Sequence, residues 1–197
     1  MITRWRQSFA LLLLCFAGCT PLVLESGTRH FAAGEYSQAL ADGRYAVNES
    51  TPRLASIVNR PDHVEFHFEP DDSGPVTLIG GFVALRTPGF FIFQATDAIE
   101  NGTPVEKKPG EATTYVPVRV APSGEVTWYI GPKGQCDAQC AGLLSTHGFK
   151  RDGADRWNAP KPLSREQILA FYEDLAPILE RQPDDWEGVR MIRIAGS

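Results

Sequence analysis

Pro75-Val76-Thr77-Leu78-Ile79-Gly80-Gly81-Phe82-Val83-Ala84-Leu85-Arg86-Thr87-Pro88-Gly89-Phe90-Phe91-Ile92-Phe93-Gln94-Ala95-Thr96 is the most apolar stretch beyond the first twenty residues. Pro88-Gly89 divides it into two strands, 75–87 and 90–96, that read as a hairpin. Side chains alternate along a strand, so Phe90-Phe91-Ile92-Phe93 puts apolar groups on both faces. A strand tolerates that only where both faces are covered, which places this hairpin at the centre of the sheet. Gly80-Gly81 predicts a bulge or sharp bend. Pro-Gly suits a type II turn, whereas tight hairpins take primed turns, so the connection is longer than two residues.

Outward from this centre the chain reads as short strands separated by turn residues. Residues 54–58 and 63–69 form a second hairpin around Asn59-Arg60-Pro61-Asp62, with Val64, Phe66 and Phe68 on one face and His63, Glu65 and His67 on the other. Residues 97–111, with Lys107-Lys108 at the tip, read as a surface loop. Residues 115–120 and 125–130 flank Pro122-Ser123-Gly124. Pro117 donates no ladder bond, which predicts an edge or bulged strand. Residues 147–150 and 156–157 suggest two further short strands. The one helix the pattern marks clearly follows Ser164, which with Gln167 makes a capping box; Leu163 and Ile168 are placed for a hydrophobic staple. Ile168, Phe171, Tyr172, Leu175 and Leu179 recur at helical spacing. Pro177 predicts a kink or a new last turn. A final strand covers 189–194. The expected fold is mainly β: an antiparallel meander curled toward a barrel or half-barrel, with one C-terminal helix packed on it. Ala32-Ala33-Gly34-Glu35-Tyr36 is echoed by Ala41-Asp42-Gly43-Arg44-Tyr45; the echo does not continue, and glycine before an aromatic residue reads as turn-to-strand chemistry.

The N-terminus carries a different message. Arg4 and Arg6 precede an apolar run holding Leu11-Leu12-Leu13-Leu14, and the run ends at Phe16-Ala17-Gly18-Cys19. It is about half the ~20 apolar residues that a membrane-crossing helix needs, so it fits a signal peptide. Here the sequence resembles the bacterial lipoprotein class, whose lipobox ends in a small residue, Gly or Ala, and then Cys. Phe16 stands where that class more often has Leu. The resemblance implies a signal peptide over 1–18, cleavage before Cys19, lipid on the Cys19 sulfur and acylation of the new amine. Each buried CH₂ contributes about 0.8 kcal/mol, so several acyl chains anchor firmly. It also implies a bacterial envelope protein held on the membrane through Cys19; Thr20 in place of Asp favours the outer membrane, facing the periplasm. Residues 19–34 then read as a lipidated tether and 35–197 as a single β-rich domain.

Roughly 180 residues remain after the leader, enough for one domain with a core. The formal charge is -5 and becomes more negative by two when Arg4 and Arg6 leave. Such an acidic chain is a poor partner for nucleic acid. Cys15 leaves with the leader and Cys19 is the lipid site, so Cys136 and Cys140 remain as a pair in an oxidising compartment, read as a structural disulfide. Its small loop contributes about 2 kcal/mol in the chain-entropy model.

His63, Glu65 and His67 form the strongest chemical motif. Two imidazoles and a carboxylate on one strand face could ligate zinc, and three ligands plus water would make a catalytic site. The same alternation is also what a solvated face opposite Val64, Phe66 and Phe68 produces. Ser145-Thr146-His147 is not a triad by adjacency, and no G-x-S-x-G elbow is present. No cofactor motif is read, and no catalytic residue is assigned. The sequence points to a binding or structural envelope module, with an envelope protein or a small apolar ligand as partner; the rival is a metal-dependent or hydrolytic envelope enzyme.

Overall fold

Both faces of the 90–93 segment are covered, and the two coverings are the two layers of the molecule. In the computed structural model, which describes residues 22–48, 53–71, 74–106, 113–134, 136–152 and 156–194, Phe93 points into one buried cluster, while Phe90 and Ile92 lie in another beneath the helices. The strands are β1 (Leu24–Ser26), β2 (Gly43–Asn48), β3 (Arg53–Asn59), β4 (Val64–Asp71), β5 (Gly74–Ala84), β6 (Phe90–Glu100), β7 (Thr103–Pro104), β8 (Thr113–Val120), β9 (Val126–Pro132), β10 (Lys150–Asp152), β11 (Arg156–Asn158) and β12 (Trp186–Arg193). Two helices, α1 (Ala138–Thr146) and α2 (Arg165–Arg181), lie between β9 and β12.

The meander closes. From β2 through β6, and on to β8 and β9, each strand pairs antiparallel with the next. After the helical excursion β12 returns between β9 and β2 and completes an eight-stranded barrel. Closure removes the open edges that a half-barrel would leave. The interior is filled by side chains: Phe66 makes edge contacts with Phe82, Phe93 and Trp128, and Trp128 donates its indole N–H to the Met191 sulfur at 3.2 Å.

The central hairpin behaves as its sequence predicts. The β5–β6 register shifts between Ile79 and Gly80, a bulge. A Cβ on Gly80 would lie 2.3 Å from the Gln94 carbonyl oxygen, so only glycine fits there. The connection is longer than two residues, with Leu85 donating to the Phe90 carbonyl and Phe90 to that of Thr87. The outer layer is α2, whose apolar stripe of Ile168, Phe171, Tyr172, Leu175 and Leu179 is fully buried with Val83, Leu85, Phe90 and Ile92. Ser164 caps it by accepting from the Gln167 N–H, Gln167 reciprocates, and Pro177 lies inside the helix near its end. Glu173 accepts from the Arg86 N–H, tying α2 to the β5–β6 connection.

Several expectations are corrected. Pro117 is not on an edge strand: β8 lies between β6 and β9, and Pro117 falls where β9 has parted from β8 and β1 has not yet begun to pair. Residues 97–106 are not a loop. β6 runs on to Glu100 and turns through Asn101-Gly102, both at positive φ, into β7; Asn-Gly is the pair such primed turns favour. Lys107 and Lys108 lie outside the described residues. The C-terminal helix is not alone, because α1 forms over 138–146, capped by Asp137 accepting from the Cys140 N–H. Gly148 at positive φ ends that unit, so the next strand begins at Lys150 rather than at His147. The two echoed segments differ: Gly34 sits in a 3₁₀ turn, Gly43 opens β2.

The largest correction concerns residues 22–34, read as tether. Leu22, Val23 and Leu24 are buried, the Leu22 N–H donates to the Ile130 carbonyl, and β1 pairs with β8. Gln94, fully buried on β6, accepts from the His30 and Phe31 N–H groups and donates to the Phe31 carbonyl and the Tyr36 hydroxyl. Tyr115 accepts from the His30 N–H and donates to the Thr28 carbonyl. These polar anchors, with Phe31 buried between them, make the segment part of the barrel wall.

Candidate functional site

β4 presents Glu65 and His67 on one side, as alternation requires, and His63 lies just before its first residue. The structure brings them together around the carboxylate. His63 Nε2 lies 3.1 Å from Glu65 Oε1 and His67 Nε2 2.8 Å from Oε2. Arg60, from the β3–β4 turn, donates to both oxygens at 3.0 and 3.2 Å. Asp62 takes His63 Nδ1 at 2.7 Å, and Thr77 Oγ1 lies 3.1 Å from His67 Nδ1. The Arg60 guanidinium, against the opposing effect of burial and helped by the two imidazoles, holds the Glu65 carboxyl down to about 2. Burial works against the His63 imidazolium, but hydrogen bonds with Glu65 and then Asp62 outweigh it and raise its pKa above the ordinary value.

This is a carboxylate-centred network. Both nitrogens of His63 face carboxylates, so neither is left as a base. Among the described residues no group of three or more His, Cys, Asp or Glu side chains is arranged to hold a metal ion. Of the row, His63 lines a cleft of about 270 Å³ between the β3–β4 turn and Tyr36, together with Arg60 and Asp62.

Two further clefts adjoin each other along β9 and β12. One, about 410 Å³, runs from Lys133 and Cys140 to Asp184 and Trp186. The other, about 300 Å³, is bordered by Arg119, Glu125, Tyr129, Asp184, Trp186 and Arg190. They share Lys133, Asp184 and Trp186. Trp186 is 7% exposed, and its indole N–H is buried without an acceptor among the described residues. Buried polar groups are nearly always paired, so an orphan donor calls for an explanation. Burial raises the Tyr129 phenol above its ordinary value, against the nearby Arg119. Arg190 lies 3.7 Å from Asp184 and 3.9 Å from Glu125, so both charge signs line the groove.

Cys136 and Cys140 form a disulfide, with Cα atoms 5.3 Å apart. It staples the first turn of α1 to the chain leaving β9, and Cys140 lines the larger cleft. His147 does not meet a nucleophile; its Nε2 lies 3.0 Å from Asp174 on α2. Cys19 lies outside the described residues. The sequence brought out neither Arg60 as the hub's main partner nor Trp186 and the charged residues around it. Arg60 sits beside Glu65 only once the hairpin forms, and the groove gathers side chains from β8, β9, β12 and the segment after α2.

Comparison with protein-family models, curated proteins and solved structures found no match.

Proposed function

We propose that this chain is an acylated lipoprotein of a bacterial envelope, anchored through Cys19 to the outer membrane on its periplasmic side, and that it works by binding a partner in the Trp186 groove. The leader and Phe16-Ala17-Gly18-Cys19 support the anchor. The mixed-charge rim of that groove carries the binding reading: Arg190, Asp184 and Glu125 stand at its surface beside Lys133. Tyr129 and Trp186, buried beneath these charges, form the apolar floor of the groove. Lys133, Arg190, Glu125 and Asp184 select a partner that is polar and of mixed charge, such as an exposed protein segment, over a purely apolar ligand. The packed barrel interior supports the same preference.

The test compares three forms of the lipidated protein by crosslinking and co-purification from its own membrane. Arg190→Glu reverses the exposed cation between Glu125 and Asp184 in the groove, and it should lose the partner that wild type retains. A His63→Ala, His67→Ala double variant should retain it and should complement a deletion strain. Stoichiometric zinc in the wild type, lost together with function in the folded double variant, would replace this reading with the metal-dependent enzyme. Cys19→Ala should accumulate as precursor without lipid label; normal maturation with lipid would refute the anchor.

A further inference from the structure

We infer that the barrel has no stand-off from its membrane: its β8–β9 turn end, toward which the chain runs back from β1, is held against the phospholipid headgroup layer. The inference rests on acylation at Cys19, and its substance is where the fold begins. Leu22 is already fixed. It is 1% exposed, its N–H donates to the Ile130 carbonyl at 3.0 Å, and its carbonyl accepts from the Tyr172 hydroxyl at 2.8 Å. Only Thr20 and Pro21 lie between it and the lipid-bearing residue. Three residue steps reach at most about 10 Å even when fully extended. That is comparable to the thickness of one headgroup region, given roughly 30 Å of hydrocarbon in a bilayer of about 40–45 Å overall.

Releasing more chain would require stripping β1 from β8 and exposing Leu22, Val23 and Leu24. The next residues are held as well: Gln94 and Tyr115 grip 28–36, and Arg165 at the start of α2 pairs with Glu35. No free tether can therefore be drawn out without unfolding part of the wall. The attachment point also sets which surface faces the lipid. Trp186 pairs with Pro132, two residues along β9 from Ile130. The groove reaches from Trp186 along β9 to Glu125 beside the β8–β9 turn, so its partner must be reached at the membrane surface.

The test uses full-length acylated protein in vesicles of phosphatidylethanolamine and phosphatidylglycerol that carry a headgroup acceptor dye. A donor dye is placed through Ser123→Cys at the anchored end, in the β8–β9 turn, or Thr103→Cys at the far end. A barrel of such strands is about 20 Å tall, so transfer from position 123 should exceed that from 103 several-fold. Ten Gly/Ser residues inserted after Thr20 should lower transfer at 123 and erase the contrast. Equal transfer from both positions in the parent chain, or a contrast that survives the spacer, would overturn the proposal when mass spectrometry shows Cys19 acylated. Absence of acylation would instead refute the anchor reading and the proposal with it. Docking is read separately by hydrogen exchange on the soluble Cys19→Ala mature chain. Slow exchange at the Leu22 and Phe31 amides is expected, and exchange as fast as in an unfolded peptide would overturn the proposal whatever the lipid state.

Discussion

Glu65 is held by groups whose protonation it needs. Its carboxyl is lowered from 4.5 to about 2, so its contribution to stability is fully present above about 4.5 and is lost as pH falls toward 2. His63 has the opposite sign. Its pKa is raised above 6.5, so its contribution is fully present below 6.5 and is lost as pH rises through the raised value. The pair is therefore worth most between those limits. A double-mutant cycle with Glu65→Gln and His63→Ala, measured by urea unfolding, should give its largest coupling in mildly acid solution and a smaller one in alkaline solution; a coupling flat across pH would disprove the link. Tyr172 tests a buried bond of another kind. Its hydroxyl, fully enclosed, lies 2.8 Å from the Leu22 carbonyl and 2.7 Å from that of Tyr115. Tyr172→Phe should destabilise by about 1–3 kcal/mol, because buried acceptors lose their donor. An unchanged denaturation midpoint would show that the hydroxyl is not needed to join α2 to the N-terminal segment.

At the scale of elements, the N-terminal segment is held by fewer contacts than the strands it lies on. Tyr36 is its outer latch, packed on Gly81 and hydrogen-bonded to Arg29 and Gln94. A Cβ on Gly81 would lie 2.2 Å from the Tyr36 ring. Gly81→Ala should therefore expel Tyr36 and raise hydrogen exchange at the Phe31 and Ser37 amides. The β3–β4 ladder should keep its protection; equal loss in both would mean that the segment and the barrel unfold as one unit. For α2, removing the reciprocal cap by Ser164→Ala should cost about 1 kcal/mol, seen as a lower urea midpoint with unchanged slope. That helix was legible because cap, staple and stripe are local. α1 was not, because it buries only Cys140 and Leu144, too few positions to show a helical period.

The whole molecule depends on its last strand. β12 pairs with β9 on one side and β2 on the other, joining residues 186–191 to 126–132 and 190–193 to 45–48. It also brings Met191 to the Trp128 indole. A chain stopped after Gln182 would keep the meander but leave β9 and β2 as open edges. It should show no cooperative unfolding transition and should aggregate, while adding the missing strand as a peptide should restore solubility in part. A truncated chain that melts cooperatively would place the stability in the meander alone. Pairing over so long a sequence separation also predicts slow folding relative to helical proteins of this size.

The sequence by itself determined most of the barrel strands, the covered central hairpin, the bulge at Gly80, the capped helix and the cysteine pair. Each is set by neighbours along the chain: alternation, turn chemistry, helical period, cysteine parity. The row of His63, Glu65 and His67 was legible for the same reason, since residues two apart on a strand must share a face. Closure, the docking of residues 22–36, Arg60 as the partner of Glu65 and the groove around Trp186 were decided only by tertiary structure. They join side chains from strands that meet because the barrel closes, and a single sequence carries no local signal for which distant strands pair. Gln94 makes the point at one residue. In sequence it is a polar interruption in an apolar strand; in the fold it is the buried clamp that turns an apparent tether into part of the wall.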